Sequence, residues 1–523
     1  MSSASSETMT CGAAASICTV PSSNGPQGRG GCLLSRPTER IELRRVIPFR
    51  SYVGLGLGAI IGMGWVVYSG SWLEAGGPVG AMLGFLVGGL LLIPVGLAYA
   101  ELTPAIPVAG GEIGFSFRAF GPTAAFFSCW FLAFAYTFLC PFETVAMGWL
   151  LEKILPVIQT PMLYSIGGDS ISTSSILPGL LLGGGMVVVN LLGVRASARF
   201  QLVTTAAMLV CVIVFATLAF VRGSFANFLP LFAGSGASVA VVPASILSVV
   251  VGVPFWLSGF DTIPQAAEEA GTDLRPRLLG LAVMLSIFLG TLFYLLVVGS
   301  VAMAMPWQQS VNLDMPTAGV FRAAFGQEWI VKLVLGAAFL GLLSSLNGFF
   351  LAATRVLFSA GRGGLLPRWF GGIDKRRKTP RNAILFVGLF AMAGPFVGKA
   401  ILDPIVHVGS LAFAAAWLLT CMCAIRLRRA EPRLIEPYRL THVGVLYVGA
   451  VVCTAIVLVL LLPGSPEQLQ WPSEYGILLA WFAIGYVCHV WQVRRGGMSA
   501  EEQRYQILGE GPDPASMSGP ATG

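Results

Sequence analysis

About twelve long apolar stretches follow one another along this chain, and they restrict its fold more than any other feature. An α-helix needs roughly 20 apolar residues to cross the roughly 30 Å hydrocarbon core of a bilayer. The stretches cover residues 51–73, 79–102, 123–151, 176–193, 200–221, 241–270, 278–305, 329–360, 383–397, 401–425, 443–462 and 475–493. Only 11% of the residues are charged, whereas a soluble domain carries roughly 25%. The sequence therefore predicts an all-α integral membrane protein with about twelve transmembrane helices.

The first and the sixth of these stretches are interrupted at mid-span. The first contains Gly58, Gly62 and Gly64, and the sixth carries glycine and proline between residues 251 and 261. Glycine and proline weaken the helical hydrogen-bond ladder and free backbone N–H and C=O groups. In hydrocarbon, such groups are tolerated only where they line a cavity or are buried in protein. Two interruptions in corresponding positions indicate a substrate site between inverted repeats, as in secondary transporters.

The net charge of +7 is spread unevenly over the predicted loops. With the N-terminus in the cytoplasm, 27 of the 32 Lys and Arg residues fall on the cytoplasmic side and 5 on the other. By the positive-inside rule, this bias predicts that both termini are cytoplasmic. We expect a multi-pass protein of the plasma membrane whose partners are a small molecule and the lipid bilayer. Nucleic acid is not expected, because topology accounts for the basic charge.

The two terminal segments differ in composition from the apolar stretches. Residues 1–46 are polar and rich in serine and glycine, without the apolar region of a signal peptide. We expect this segment and residues 496–523 to be disordered cytoplasmic tails. The ten cysteines lie mostly within apolar stretches and show no disulfide or zinc spacing. No metal-spacing His/Glu group, nucleophile elbow or Walker motif is visible, so neither an enzyme nor an ATP-driven transporter is predicted.

Five motifs lie at the ends and breaks of the stretches. They are Gly-Ala-Ile-Ile-Gly-Met-Gly at 58–64, Tyr-Ala-Glu-Leu with a following Pro and Gly-Gly at 99–111, Asn-Leu-Leu-Gly-Val-Arg-Ala-Ser-Ala at 190–198, Gly-Phe-Asp with a following Glu-Glu at 259–269, and 347–380 with its basic loop. In this combination, across roughly residues 45–425, the chain resembles the amino acid–polyamine–organocation (APC) superfamily of permeases.

The resemblance implies a leucine-transporter-type fold with discontinuous helices one and six. It predicts a ten-helix transporter core at 47–425, built from inverted repeats of five helices at about 51–221 and 241–425, and two additional helices at 426–495. Such proteins bind substrate at the midplane and work by alternating access, without a cofactor. An amino acid is the expected substrate. A cationic amine or polyamine permease and an amino acid exchanger are the alternatives.

Substrate-binding positions follow from the two breaks. Free N–H groups suit a carboxylate and free carbonyls suit an ammonium group. For the carboxylate we predict the N–H groups of Ile61, Gly62, Met63 and Gly64. For the amine we predict carbonyls near Gly58, Phe255, Trp256 and Ser258. By the resemblance, Phe255 also corresponds to an aromatic gate, whereas ordinary packing explains Trp256 equally well.

Several carboxylates are candidates for gating or coupling, because charged groups within spans are costly and tend to be functional. Asp261 is expected to cap the second half of helix six. Glu268 and Glu269 are expected to join nearby arginines in an inner gate. Glu143, in the third stretch, either attracts a cationic amine or pairs within the bundle, and the sequence does not decide between these.

If an ion is coupled to transport, we expect sodium or a proton. By the resemblance, hydroxyls of helix eight contribute to a sodium site, and Ser344 and Ser345 are placed to do so, although helix packing explains them too. Some proton-coupled members carry a lysine in helix five. The stretch 200–221 has none, and Met208 lies close to that position. Sodium symport, exchange, and proton coupling through Glu143 or another carboxylate stay open.

Overall fold

A computed structural model describes residues 40, 42–155, 159–234, 241–313, 315–465, 468–494 and 497–511. The helices are α1 Phe49–Ile60, α2 Gly64–Val67, α3 Ser69–Ala105, α4 Glu112–Phe120, α5 Pro122–Ile154, α6 Thr173–Leu191, α7 Val194–Arg222, α8 Val241–Val250, α9 Val253–Trp256, α10 Thr262–Gln265, α11 Arg277–Ala304, α12 Pro316–Phe325, α13 Glu328–Arg362, α14 Arg381–Ala393, α15 Leu402–Ala430, α16 Pro432–Ile435, α17 Val443–Leu461, α18 Ser473–Arg494 and α19 Ala500–Leu508. The strands β1 Met162–Ile166 and β2 Asp169–Ser172 form one antiparallel hairpin. The predicted all-α class is confirmed.

Ten helices in the described part of the chain are long and apolar enough to cross a membrane. They match ten of the twelve predicted stretches. The other two stretches contain shorter apolar helices, at Val241–Val250 and Arg381–Phe396. Large apolar side chains such as Leu181, Phe288 and Val451 are more than 60% exposed on the outside of the bundle. A surface of this kind fits contact with lipid rather than water.

The first predicted span is broken, as the glycines indicated. Helix α1 ends at Ile60, residues 61–63 are not helical, and α2 resumes at Gly64. The chain then continues through the start of α3 to Gly77, whose φ of 67° kinks the helix. Glycine adopts this left-handed conformation without steric cost. The kink separates the outer part of the first span from the second span.

The sixth span is broken more extensively. Helix α9 ends at Trp256, and α10 begins at Thr262 after a run of turns. Gly259, in this run, has a φ of +128°, and a Cβ added to it would lie 2.7 Å from the backbone nitrogen of Ile60. The backbones of the two breaks therefore touch, and only glycine permits this approach.

One end of the bundle, where α3, α13 and α15 finish, collects most of the described arginines and is called the basic end below. Here the segment before α1 is held against the end of the sixth span, since Val46 and Ile47 both donate backbone hydrogen bonds to the carbonyl of Glu269 at 2.9 Å. Gly271 in turn donates to the carbonyl of Ile47 at 3.0 Å. The chain entering the first span is thus fixed to the chain leaving the sixth.

The expectation of a disordered C-terminal tail at 496–523 is wrong for residues 497–511. Helix α19 forms here, with Ser499 as its N-cap, and Ile507 is fully buried. An Ile507 side-chain carbon would lie 2.4 Å from a Cβ on Gly363, so the side chain fills the space that this glycine leaves. Tertiary packing thus orders a segment of polar composition. Residues 512–523 and most of the predicted N-terminal tail, 1–39 and 41, lie outside the described residues.

Candidate functional site

A small cavity lies where the two breaks meet, and we call it the central cavity. Its volume is about 30 Å³, which is room for one or two water molecules. Its lining comes from the first, third, sixth, seventh and eighth spans: Ala59, Ile60, Gly62, Met63, Gly64, Leu139, Phe142, Glu143, Phe255, Trp256, Ser258, Tyr294, Ser345 and Phe349. Six of the eight predicted substrate-binding residues are in this set. Gly58 and Ile61 are not.

Backbone groups around the central cavity lack partners. The N–H groups of Gly62, Met63 and Gly64 donate no hydrogen bond within the described part of the chain, and the carbonyls of Trp256 and Ser258 accept none there. Buried backbone groups are normally paired, because an unpaired one costs free energy. The two breaks therefore present donors on one side and acceptors on the other to whatever occupies the cavity.

Two predicted binding groups are already used by the protein. The N–H of Ile61 donates to the carbonyl of Leu57 at 3.1 Å, which continues the ladder of α1 by one residue. The carbonyl of Phe255 accepts from the N–H of Ser258 at 3.1 Å and from its hydroxyl at 2.7 Å. These two groups are unavailable to a ligand in this conformation. The break in the first span thus supplies donors only from Gly62 onward.

Trp256 lies directly over the restart of the first span. A Cβ on Gly64 would lie 2.3 Å from the Trp256 ring. The ring also contacts Tyr68 and Trp72, with centroids 4.9 and 5.2 Å apart. Phe255, the predicted gate, packs edge-on against Trp256 at 5.1 Å. Both aromatic side chains line the cavity, and Trp256 contacts the first span most closely.

Glu143 lies against the break in the first span. Its side chain is 3% exposed, and a Cβ on Gly62 would lie 2.8 Å from its Oε1. Ser345 Oγ donates a hydrogen bond to Oε1, while Oε2 has no hydrogen-bond partner. No described cation pairs with this carboxyl group. The structure thus brings together Glu143 and Ser345, for which the sequence predicted separate roles.

Ser344 points into a different environment from Ser345. Thr205 lies 2.7 Å from its hydroxyl, and the Gln201 amide nitrogen donates to it at 2.9 Å. Asn347 Nδ2 donates to the other end of Gln201 at 2.7 Å. We call these residues the neutral cluster. A Cβ on Gly58 would collide with three of its polar atoms, so Gly58 allows the cluster to approach α1. Gly58 does not line the central cavity.

Glu268 and Glu269 pair with arginines at the basic end, as predicted. Glu269 and Arg355 form an ion pair at 3.0 Å, with both side chains 1% exposed. Arg362 donates to both oxygens of Glu268 at 2.8 Å. Arg40 adds a third contact, to Glu268 at 3.1 Å. These pairs join the entrance of the first span, the end of the sixth and the end of α13.

Asp261 occupies the N-cap position of α10 but makes no side-chain cap bond, so the predicted capping is wrong. Its Oδ1 instead accepts from the N–H of Gly259 at 3.0 Å, and its Oδ2 accepts from the Trp417 indole at 2.9 Å. The carboxylate thus points back toward Gly259 in the break, and its second oxygen joins the break to Trp417 of α15. Its role is to hold the break of the sixth span against the tenth.

Sequence reasoning missed the side chains that distant spans bring to the site. Tyr294 donates its hydroxyl to the carbonyl of Ile60 at 3.2 Å, and Phe349 completes the apolar wall. Gln201 belongs to a polar group that no linear motif marked, and Glu112 directly follows the Gly-Gly of a motif but was assigned no role. Only the chain's packing reveals them. The one available signal was the presence of buried polar residues within otherwise apolar stretches.

Comparison with known proteins identifies the family of this chain. The family model for amino acid permeases matches residues 47–487, which is most of the chain. The chain belongs to the amino acid permease family. It is therefore a multi-pass membrane transporter rather than an enzyme, and the predicted superfamily is confirmed.

Relatives of this permease have several substrates in their names. It is 27% identical to the branched-chain amino acid permease BcaP of Bacillus subtilis, over 87% of this chain and 95% of that one. It is 26% identical to the chloroplastic cationic amino acid transporter 6 of Arabidopsis thaliana, over 71% of this chain but 64% of that longer protein. A methylthioribose transporter of Bacillus subtilis is 24% identical over 86% of this chain and 94% of its own.

Proposed function

We propose that this permease is a secondary active transporter that moves amino acids by alternating access and binds them at the two breaks. The observation that carries the proposal is the arrangement of unpaired groups around one cavity. The N–H groups of Gly62–Gly64 suit a carboxylate, and the carbonyls of Trp256 and Ser258 suit an ammonium group. An α-amino acid carries both groups on its α-carbon, and its binding would satisfy the hydrogen-bonding groups that the fold leaves unpaired.

Alternating access accounts for the small size of the cavity. About 30 Å³ cannot hold an amino acid, so the walls must separate before substrate enters. At the basic end, the ion pairs of Glu268 and Glu269 close the route. At the opposite side of the cavity, Trp256 covers Gly64. We propose that two inverted five-helix repeats, at about 51–221 and 241–425 within a core of 47–425, rock to open these barriers in turn, with the helices of 426–495 outside the repeats.

The walls of the cavity favour an apolar side chain. Leu139, Phe142, Phe255, Tyr294 and Phe349 surround it, and burial of apolar surface contributes about 25 cal/mol per Å². The branched-chain permease of Bacillus subtilis, which matches across almost its whole length, supports the same substrate class. We therefore propose a neutral, apolar amino acid as the principal substrate.

Gly62→Leu tests the binding site. Its side chain would occupy the space in front of Glu143 and Ser345, so binding of L-leucine should be lost while the protein still folds. Gly184→Leu is the matched control, since a Cβ there meets nothing within 4 Å. Uptake of radiolabelled L-leucine into proteoliposomes measures both variants. Uptake by Gly62→Leu at the level of the control would contradict the site.

A cationic amino acid or amine is the second candidate, and one observation favours it. Glu143 Oε2 is buried, unpartnered and at the cavity, and an ammonium or guanidinium group would complete it. The plant cationic transporters among the relatives agree with this alternative. If the carboxylate recognises a cation, Glu143→Gln should reduce L-arginine uptake by about tenfold or more and spare L-leucine uptake. Unchanged L-arginine uptake would reject the recognition role.

We propose that sodium does not couple transport through Ser344. A sodium ion needs a shell of oxygen atoms, but here the Gln201 amide donates hydrogen to Ser344 and to the carbonyl of Gly54. A donor N–H in this place repels a cation. The adjacent Ser345 hydroxyl is directed at Glu143. Replacing external sodium with choline should leave L-leucine uptake unchanged, and a loss of uptake in choline would restore the two serines as a sodium site.

Orientation in the membrane follows from charge. We propose that the basic end faces the cytoplasm, by the positive-inside rule, with both termini on that side and the plasma membrane as the location. The docking of α19 and of Arg40 at the basic end puts both ends of the described chain on one side. Labelling of single cysteines introduced at Glu502 and Glu74 in intact cells should modify only the second.

A further inference from the structure

Another buried carboxyl group, Glu112, lies outside the lining of the central cavity and takes no part in the site described above. It begins α4, in the connection between the second and third spans, and its side chain is fully buried. Gln265 Nε2 donates to its Oε2, whereas its Oε1 has no hydrogen-bond partner. No ion pair reaches it from any described lysine, arginine or histidine. A buried carboxyl group without a counter-charge is strongly disfavoured in its ionised form.

Glu112 is linked to Asp261 through one side chain. The Gln265 amide nitrogen that donates to Glu112 also donates to the backbone carbonyl of Asp261 at 3.0 Å. Gln265 is itself fully buried, and its Oε1 has no partner. Glu112 Oε1 and Gln265 Oε1 each lack a hydrogen-bond donor among the described residues. We call Glu112 and Asp261 the carboxyl pair, and Gln265 the bridge between the Glu112 carboxyl group and the Asp261 backbone carbonyl.

The two carboxyl groups receive different numbers of donors. Asp261 accepts from the Gly259 N–H and from the Trp417 indole, one bond on each oxygen. Glu112 accepts one bond within hydrogen-bonding distance, from Gln265 on one oxygen, and the Tyr99 hydroxyl is the next side-chain donor near it. Hydrogen bonds to an ionised carboxylate favour ionisation, and two buried carboxyl groups near one another disfavour a double negative charge. Asp261 is thus the ionised member of the pair and Glu112 the neutral one.

Among the described residues, the titratable groups around the pair carry no charge that changes this assignment. The titratable groups that face the pair are Tyr99 from α3, Tyr136 from α5 and Cys423 from α15. All three are neutral near pH 7 in their ordinary range. Burial, followed by the nearby Asp261 carboxylate, raises the pKa of Glu112 to about 8. Protonation of Glu112 at neutral pH is consistent with its position.

The location of the pair connects it to the closure of the basic end. The segment that precedes Glu112 packs on the second half of the sixth span, where Gly110 donates to the carbonyl of Gln265 at 3.0 Å and Ala109 donates to Glu268 at 3.1 Å. Opening this contact would separate Glu112 from Gln265 and expose it to water. An exposed carboxyl group ionises near pH 4.3, so opening would release its proton.

From the unpartnered Glu112 oxygen, its bridge to Asp261 and its place in the closing contact, we propose that Glu112 is the proton-binding site that couples transport to a proton gradient. The proton is bound while the basic end is closed and released when it opens. This inference rests on the proposed transport function. Asp261 acts as a positioning residue that raises the proton affinity of Glu112, and it also holds the break in the sixth span, three residues after Ser258 of the cavity.

The test uses purified full-length permease in proteoliposomes with L-leucine and L-arginine as probes. A fluorescent pH indicator inside the vesicles reports proton movement, and counterflow of labelled probe reports exchange separately. In the wild type, probe uptake should acidify the lumen. Glu112→Gln should abolish this acidification and uptake driven by the pH gradient, while counterflow continues. Glu74→Gln, on an exposed glutamate at the opposite end of α3, should behave as the wild type.

Two further variants separate a proton site from a structural role. Asp261→Asn removes the neighbouring negative charge, so the midpoint of the pH profile of uptake should move to lower pH by about one unit. Glu112→Asp should keep proton-driven uptake with a shifted midpoint. If Glu112→Gln also loses counterflow, the pH profile of uptake by Glu112→Asp distinguishes a proton site from a structural role. An unshifted midpoint in that profile overturns the assignment of Glu112 as the proton site.

Other results overturn the proposal directly. Uptake without lumen acidification in the wild type, or acidification that persists in Glu112→Gln, excludes Glu112 as the coupling site. Acidification lost only in Glu143→Gln would transfer the role to Glu143. These outcomes differ from failure of the proposed function, in which the wild type takes up neither probe under any gradient, and in that case the coupling role falls with it.

Discussion

Buried carboxyl groups of the described residues are paired with arginines at the basic end of this permease, whereas at its centre they are not. At the basic end, Glu268 and Glu269 meet arginines. At the centre, Glu143 has no described cation partner, and backbone groups of both breaks are unpaired. Burying a carboxylate is tolerated when a counter-charge and hydrogen bonds satisfy it, and is costly otherwise. The carboxyl groups of the basic end are therefore satisfied within the protein, whereas the centre keeps groups without partners among the described residues, which is the basis of the proposed binding site.

The same contrast separates two neighbouring serines on α13. Ser344 belongs to the neutral cluster, in which each amide and hydroxyl has a partner across the first, fifth and eighth spans. Ser345 faces Glu143 and the cavity. Because the two serines are adjacent on the helix, they face different sides of it. Ser344 makes a satisfied structural contact, whereas Ser345 faces a cavity with unpaired groups. Adjacent identical residues need not share a role.

Substitutions in the breaks should have the largest effect on transport, since an added side chain would block access to the unpaired N–H donors and no other group can replace them. Gly64→Leu would drive a side chain into the Trp256 ring, whose nearest atom is 2.3 Å from a Cβ there. We expect L-leucine uptake to fall to background. The combination with Trp256→Ala should restore part of the uptake, because it removes the collision. No recovery in the double variant would argue against contact between Trp256 and the first span during transport.

Breaking the buried pair at the basic end should have the next largest effect, and on stability. Arg355→Met leaves Glu269 buried without its counter-charge, which costs about 3–5 kcal/mol. Thermal unfolding in detergent should show a clear decrease in midpoint. The double variant Glu269→Gln with Arg355→Met should be more stable than Arg355→Met alone. An equal loss in both would mean that the charge pairing contributes little to closure.

Glu143→Gln should change specificity more than stability. The amide keeps a hydrogen-bonding partner for Ser345 but cannot ionise to pair with a cation. For a cationic substrate that uses this carboxylate, uptake should fall by about tenfold or more, which corresponds to about 1.4 kcal/mol. L-leucine uptake should change little. Competition between unlabelled L-arginine and labelled L-leucine measures the ratio, and an unchanged ratio would assign Glu143 a role within the bundle.

Helix α19 should give the smallest effect. Ile507→Asp places a charge in the buried contact with Gly363 and should undock α19, which limited proteolysis after residue 494 would detect. Burial acts to raise the pKa of Glu510, but hydrogen bonds from Arg504 and Arg118 outweigh it and lower that pKa. The contribution of Glu510 to docking is thus present near neutral pH and decreases as pH falls through its lowered value. Exposed pairs of this kind contribute only about 0–1 kcal/mol.

Protection of α19 from protease should therefore decrease at acid pH in the wild type. The variant Glu510→Gln lacks this carboxylate and should show a smaller pH dependence. An identical pH dependence in both proteins would remove Glu510 from the docking contact.

The sequence was sufficient where the physics is local to one segment. Stretch length and hydropathy predicted the spans, because a helix must cross a fixed thickness of hydrocarbon. Gly62 and Gly64 marked the first break, and the pattern from 251 to 261 marked the sixth, because glycine and proline weaken any helix that contains them. The sequence also predicted that Glu268 and Glu269 pair with arginines, since charged groups near the end of a span are stabilised by groups of opposite charge.

Only tertiary structure decided which groups are free and which are used. The sequence could not show that the Ile61 N–H and the Phe255 carbonyl already form hydrogen bonds within their own segments. It also could not show that Asp261 accepts hydrogen bonds from Gly259 and Trp417 instead of capping α10. Nor could it show that burial of Ile507 orders a polar segment. Nor could it separate Ser344 from Ser345, or join Glu112 to Asp261 through Gln265. Each of these depends on the geometry between residues far apart in the chain, and partner availability in a low-dielectric interior is what distinguishes a binding group from a structural one.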